Sequence, residues 1–420
     1  MALQFAQEYK HMDRSGLFSS VSVFLFFAVS LVVPSGYSLG AALLFGAGLT
    51  LLVRPAQWPT LGKQEKLLLL VWLAFFLTWI AEIVLDGQAL SRYDKPVRIL
   101  CAGVALLWLL KHPPKPWALW AGAASGATMV GAWAAWQKLV LHVDRAGGHT
   151  HLIQFGNISM LLGMLCLAGM GWAWIERRSW RWTLFLLLGF CCGVLGSLFS
   201  GSRGGWVGVP FILLVVLHGY SRHLSRKLIA GALVAGLLAA CTVFFIPKTG
   251  VQGRVQAAIS DVKLYYGKDV TTSSLGARFE MWRFGLRALA ERPLTGFGQQ
   301  GLRDYKAELI KSGDIAKIAG SFDHLHNEYI DTAARRGLIG LLALLAVYLV
   351  PFRLFSARAS DAAFDSKPYA VAGAILCVSY MDFGLSQSFF SHNSGVMVYF
   401  FAMAILWALM TSSRTNNKLP

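Results

Sequence analysis

The sequence predicts an all-α integral membrane protein with about twelve transmembrane helices and one large, mostly helical loop. Three observations predict it. Of 420 residues, 56% are hydrophobic and only 14% are charged, against roughly 25% charged in soluble domains. Mean hydropathy is +0.54. Apolar runs long enough to cross a bilayer recur from one end of the chain to the other. A soluble chain of 46.0 kDa would have to hide more apolar surface than its cores accommodate. Composition therefore excludes a cytosolic enzyme, a disordered scaffold and a disulfide-stapled secreted domain. The 27 Phe, 15 Trp and 12 Tyr suit a chain with two membrane interfaces to line.

The runs fall at about 16–35, 37–53, 67–86, 96–110, 117–140, 152–175, 181–200, 205–220, 228–246, 337–355, 369–390 and 393–412. Pro34-Ser35-Gly36 turns the chain between the first two. The first run is near span length and lacks a small-residue cleavage site, so it is expected to stay as a span. Lys and Arg then set the orientation. With the N-terminus in the cytoplasm, the inner segments carry 18 of them (Lys10 and Arg14 at the start, Arg414 and Lys418 at the end). The short outer loops carry 4: Arg92, Lys95, Arg145 and Arg203. That asymmetry places both termini inside. Much of the net charge of +17 is then topology, and no nucleic-acid partner is expected.

Residues 247–336 break the pattern as a polar insertion on the outer side, between spans in 1–246 and spans in 337–420. A connection this long is usually functional or disordered, and helical periodicity argues that it folds. It holds 14 Lys/Arg against 10 Asp/Glu. Long loops escape the positive-inside rule, so this excess fits an anionic partner. All six cysteines (Cys101, Cys166, Cys191, Cys192, Cys241 and Cys377) lie in apolar runs and read as small buried hydrophobes.

Chemistry concentrates at three places. Arg203 lies in Ser200-Gly201-Ser202-Arg203-Gly204-Gly205, a connection too short to leave the membrane surface. Its glycines permit close backbone approach and N–H groups aimed at an anion; the alternative is a snorkelling arginine. Arg278 lies on an amphipathic helix over 274–291. At 100° per residue, Leu275, Phe279, Trp282, Leu286 and Leu289 share the apolar stripe, and Arg278 falls beside Leu289. It either binds a ligand or pairs with a carboxylate such as Asp323. His326 lies in His324-Leu325-His326-Asn327-Glu328, just before the tenth span. Histidine suits proton transfer near neutrality, and Asn327 and Glu328 are placed to orient it or a substrate hydroxyl. A metal site joining these histidines to His142, His149 and His151 is the lesser alternative. Among intramembrane charges, Glu82 and Arg98 are expected to pair, and Asp382 to pair with a neighbouring helix. Gly337-Leu338-Ile339-Gly340 reads as a close-packing device. No phosphate-binding or dinucleotide-binding glycine motif occurs.

These residues together resemble the bacterial O-antigen ligase and polymerase family. His326-Asn327, nine residues and Gly337-Leu338-Ile339-Gly340 match its signature. Ser200 to Gly205 is similar to its Ser-x-Ser-Arg-Gly segment. Arg278, Trp282 and Pro293-Leu294-Thr295-Gly296-Phe297-Gly298 are similar to its loop pattern. The resemblance covers about 200–345. It implies an inverting, metal-independent glycosyl transfer, without a cofactor, at the periplasmic face of the inner membrane. The donor would be a glycan on undecaprenyl diphosphate, and a ligase's acceptor the lipid A-core. Arg203 and Arg278 would hold the diphosphate with guanidinium forks, His324 and Asn327 would line the substrate site, and His326 would be the general base. Nearby arginines disfavour imidazolium, so activity is expected to rise through roughly pH 6–7. Polymerases and protein-glycosylating ligases share this resemblance. A lipid or solute transporter is the alternative from another class, but no inverted repeat supports it.

Overall fold

The structure is a computed structural model that describes residues 13–246, 251–268, 273–361 and 364–415. Lys10 and Lys418 of the orientation count, and Lys248 and Asp269 of the loop count, lie outside the described residues. The described chain is helical, with no strand among those residues.

The helices run in chain order as α1 (Arg14–Ala28), α2 (Gly36–Leu52), α3 (Lys63–Leu85), α4 (Asp94–Lys111), α5 (Pro116–Leu139), α6 (Leu152–Gly171), α7 (Trp180–Ser200), α8 (Val209–Tyr220) and α9 (Arg226–Phe245). The polar stretch follows as α10 (Val251–Lys268), α11 (Ser274–Glu291) and α12 (Gly298–Ser312). The chain closes with α13 (Glu328–Ala359), α14 (Lys367–Ser386) and α15 (Asn393–Thr415). Starts follow local chemistry. Asp13 caps α1 by accepting from Gly16 N at 3.0 Å, and Ser273 caps α11 by accepting from Gly276 N at 3.0 Å.

Among the described residues, six helices are long and apolar enough to cross a membrane, and three shorter apolar ones accompany them. This is a multi-pass membrane protein. α14 and α15 form its centre, and Trp407, Tyr399, Tyr380 and Phe400 on them are fully buried. Around them α13 packs on α14 and α3, α15 on α4, and α6 on α7, α5 and α14. α9 by contrast exposes Val234, Leu238 and Phe245, as a lipid-facing helix does. The cysteines are all free. Cys166 and Cys377 are buried, whereas Cys191 and Cys241 are exposed. The expectation of burial fails for those two because hydrocarbon accommodates a thiol as readily as a protein core does.

α13 carries the feature that positions the end of the bundle beside α11. Its backbone breaks at Gly337, where φ is 62° and ψ −162°. The segment Pro293–Phe297 threads into the break. Leu338 N donates to Pro293 O at 2.7 Å, Ile339 N to Leu294 O at 3.3 Å, and Phe297 N to Ala334 O at 3.0 Å. A Cβ on Gly337 would collide with the Leu294 carbonyl, and one on Gly296 with the Arg335 carbonyl. Both glycines have positive φ. The two glycine motifs are therefore one backbone joint.

A buried ion network anchors this joint to α3. Arg335 Nε donates to Glu82 Oε1 at 2.7 Å. Arg336 Nε lies 3.0 Å from Glu82 Oε2. Arg335 also meets Asp331 at 3.6 Å, and the Arg336 guanidinium stacks over Trp79 at 4.9 Å. The expected Glu82–Arg98 pair is not formed. Arg98 takes Asp94 at 2.9 Å, one turn away on its own helix. The local partner costs Arg98 less side-chain entropy than a cross-helix one.

Candidate active site

The loop between α7 and α8 is held by its neighbours on both sides. Ser202 Oγ donates to Asn157 Oδ1 on α6 at 3.0 Å, and Ser202 is buried. On the other side a Cβ on Gly208 would sit 2.7 Å from the Asp382 Cβ. The glycines there serve close approach of α14. Arg203 is thus fixed by a wedged backbone. The loop between α5 and α6 is stitched to the same place, since Ala146 N donates to Phe199 O at 2.9 Å and Arg145 Nε to Ser200 O at 2.9 Å.

α11 brings Arg278 to this place, on a face different from the one its apolar stripe implied. The buried side chains are Ala277, Met281, Phe284 and Ala288, whereas Leu286 is exposed. α11 packs on α13, and Gly285 lets the helices approach, with Ile330 and Leu325 against it. Ala277, Met281, Phe284 and Ala288 thus mark the protein-facing side, and Leu286 is left on the exposed one. Glu280, expected on the polar side, is buried and accepts from Tyr265 Oη at 2.8 Å and Ala316 N at 3.1 Å. The suggested Arg278–Asp323 pair is not formed, because Asp323 takes Arg303 at 3.1 Å. Arg278 is half-buried. Burial first, then the charges of Arg203 and Arg145, pull its pKa below the usual arginine value. Arginines from two other segments thus bear electrostatically on Arg278.

The turn before α13 is cross-braced. Lys306 Nζ donates to Phe322 O at 2.6 Å, Trp282 Nε1 to Leu325 O at 3.1 Å, and Leu325 N to Asp331 Oδ1 at 3.0 Å. Asn327 spends its side chain on this frame. Its Oδ1 caps α13 by accepting from Tyr329 N and Ile330 N, both at 3.0 Å. Its Nδ2 donates to Leu385 O at 3.2 Å. Glu328 is buried and accepts from Phe390 N at 2.7 Å. His326 is left at φ 50°, in the left-handed region that a non-glycine residue seldom occupies.

Four imidazoles meet here. The His326 ring lies 4.3 Å from the His324 ring, His324 lies 5.9 Å from His392, and His392 lies 5.2 Å from His151. Gln387, fully buried, touches His326 Nδ1 through Oε1 at 2.5 Å and His392 Nε2 through Nε2 at 3.0 Å. Burial, then the neighbouring His324, lowers the His326 pKa to about 4; Arg278 and His151 act in the same direction, and the Gln387 bond opposes them. Burial and the other histidines lower His392 to about 3. No group of three or more His, Cys, Asp or Glu among the described residues has a metal-holding arrangement.

Arg203, Arg278, His324, His326 and Asn327 thus lie at one end of the bundle. The sequence reading gave no role to Arg145, Gln387 or His392. Arg145 was counted only as an outer-loop charge. Gln387 was absorbed into a span drawn to residue 390, whereas α14 ends at Ser386. The available signal was polar: Ser386-Gln387-Ser388 and Ser391-His392-Asn393 interrupt two apolar runs.

The O-antigen ligase family model matches residues 188–345, the stretch that holds Arg203, Arg278 and His326. An uncharacterised protein of Haemophilus influenzae is 30% identical over 91% of this chain and 95% of its own length. An O-antigen ligase of Escherichia coli K12 is 26% identical over 56% of this chain and 54% of its own. With the helical membrane fold, these matches define a membrane enzyme of the glycosyltransferase-like ligase class. The chain belongs to the O-antigen ligase family.

Proposed function

We propose that this protein is an O-antigen ligase, moving a glycan from undecaprenyl diphosphate to the lipid A-core by inverting, metal-independent transfer. The observation that carries this reading is the convergence of Arg145, Arg203 and Arg278 beside a braced His326. A diphosphate leaving group is the anion that such guanidinium forks accept. His326, held neutral by burial, removes the proton from the acceptor hydroxyl as that oxygen attacks the anomeric carbon. The carbon–oxygen bond to the diphosphate breaks, and the leaving group departs with its electron pair toward the arginines. Asn327 acts by fixing the turn, and His324 by packing on the His326 ring.

A groove supports the lipid-linked donor. An apolar channel of about 670 Å³ runs between α8, α13 and α14. Tyr329 and Leu385 line one end and His218 and Ala359 the other. Tyr329 is three residues from His326, so an isoprenoid tail in the groove would present its diphosphate to the arginines. We place the site at the periplasmic face of the inner membrane, with both termini cytoplasmic. The twelve crossings would be α1–α9 and α13–α15. Reporter fusions after residues 60 and 300 should read cytoplasm and periplasm respectively; the reverse pattern sinks the topology.

The lipopolysaccharide of a deletion strain tests the activity. Ligation predicts loss of the long-chain ladder with lipid-linked glycan accumulating. A single repeat still attached to the core would identify a polymerase instead.

A further inference from the structure

A neutral imidazole carries one N–H and one lone pair, and a base has to aim the lone pair at its substrate. Which nitrogen of His326 is free is therefore a structural question. Its Nδ1 meets Gln387 Oε1 at 2.5 Å. A carboxamide oxygen only accepts, so the hydrogen in that contact belongs to Nδ1. The lone pair then lies on Nε2, on the far side of the ring.

An amide can turn over and exchange its oxygen for its nitrogen. In the orientation the structure gives, the other end of the amide is satisfied as well. Gln387 Nε2 faces His392 Nε2 at 3.0 Å, and an amide N–H only donates, so His392 Nε2 supplies a lone pair. His392 is suited to this because burial and the neighbouring His324, His151, Lys95 and His326 keep it neutral. Turning the amide would demand the opposite tautomer of both rings at once. Gln387 is fully buried, and its backbone N–H ends α14 by donating to Phe383 O at 3.1 Å, so the side chain stays between the two rings.

We infer that Gln387 is a positioning residue: its carbonyl holds His326 in the Nδ1–H form with Nε2 open to the acceptor hydroxyl, while its amide N–H is taken up by His392. This rests on the general-base reading of His326. The proton leaves the acceptor hydroxyl for Nε2, and the same Gln387 carbonyl then accepts from the imidazolium Nδ1–H. The charged and titratable groups that bear on His326 are His324 from its own turn, His151 from the loop before α6 and Arg278 from α11.

The test uses the full chain in nanodiscs. The donor is the lipid-linked glycan that accumulates in cells lacking it, and the acceptor is lipopolysaccharide without O-antigen. Gln387→Met should lower turnover ~10-fold or more, while glycan-free undecaprenyl diphosphate binds within about twofold of the parent, since the arginines are untouched. Gln387→Glu keeps an acceptor for Nδ1–H and should keep turnover at high pH. Its carboxylate favours imidazolium, so the acid limb of the rate profile should move up by about one unit or more. His392→Ala should cost turnover less than Gln387→Met does.

Normal turnover in Gln387→Met, or an unmoved acid limb in Gln387→Glu, overturns the inference. If Gln387→Met does not fold, the Gln387→Glu limb decides alone. His326→Ala in the same assay separates the two readings. Its normal turnover would remove the base itself; its failure beside an active Gln387→Met would remove only the role of Gln387.

Discussion

Two groups of arginines occupy the same end of this bundle and are built in opposite ways. Arg335 and Arg336 meet Glu82 from α3, with Asp331 on the same helix beside Arg335. Their charge is answered inside the protein, and the result is a joint between α3 and α13. Arg278 is instead reached by the charges of Arg203 and Arg145, which have its own sign. Like charges brought near one another in a half-buried place repel, and an anion between them would relieve that repulsion. The contrast teaches how to divide basic residues near a membrane surface. A buried arginine facing carboxylates is scaffold, and one reached by other arginines is the place to test for an anionic ligand.

The largest effect should come from the base that this anion site serves. His326→Ala should lower turnover by ~10²–10⁴-fold with undecaprenyl diphosphate binding intact, measured separately on purified protein. Normal turnover, or a defect confined to donor binding, removes the base assignment. His324→Ala should cost less.

Arg203→Ala and Arg278→Ala come next, at ~10²–10³-fold in turnover in a chain that remains folded. Lysine at either position should rescue poorly, because an ammonium cannot fork across two phosphate oxygens. Near-normal ligation by the lysine variants would reduce both to interfacial charges and erase the contrast.

Glu82→Ala should behave as the opposite case. Leaving Arg335 and Arg336 buried without that carboxylate costs about 3–5 kcal/mol of stability. The readout is a lower melting temperature in detergent, with turnover per folded molecule kept. A stable Glu82→Ala protein that has lost turnover would make the scaffold group part of the site.

The pH response is gentler. His326 titrates near 4, so the neutral base persists as pH falls and is lost only as pH drops through about that value. The rate should be nearly flat from about pH 6 to 8, rather than rising through 6–7 as the sequence predicts from nearby arginines alone, because burial lowers the pKa further. A steep limb in that interval would mean that His326 is more solvated than the structure gives it. The smallest expected effect is none at all. Excess chelator should leave turnover unchanged, and activity restored by magnesium or manganese would reopen the acidic residues and histidines as ligands.

Much of the fold was legible because the bilayer imposes a crude rule. A helix needs a long apolar run, and composition reports runs directly. The candidate site was legible in part for another reason: Arg203 in a glycine turn, Arg278 beside an apolar stripe and His326 just before a span are charged or titratable groups in places their neighbours do not explain. Gln387 did not stand out, since a neutral amide at the end of an apolar run looks like a span boundary. Pairings were the least legible. Glu82 chose Arg335 and Arg336, 253 and 254 positions away, over Arg98, and no periodicity carries that choice.

Sequence by itself thus determined the helices, the long polar insertion, and the three motifs bearing arginine and histidine. The helices and the insertion follow from the cost of placing polar groups in hydrocarbon, and the motifs from residue types and spacings, all of which act on each residue where it stands. Only the tertiary structure decided that Arg145 joins the other two arginines, that Gly296 and Gly337 form one joint, and that Gln387 bridges His326 and His392. Hydrogen bonds and ion pairs act over a few ångströms, so they depend on which segments the packing of α13 against α14 and α3 brings within reach.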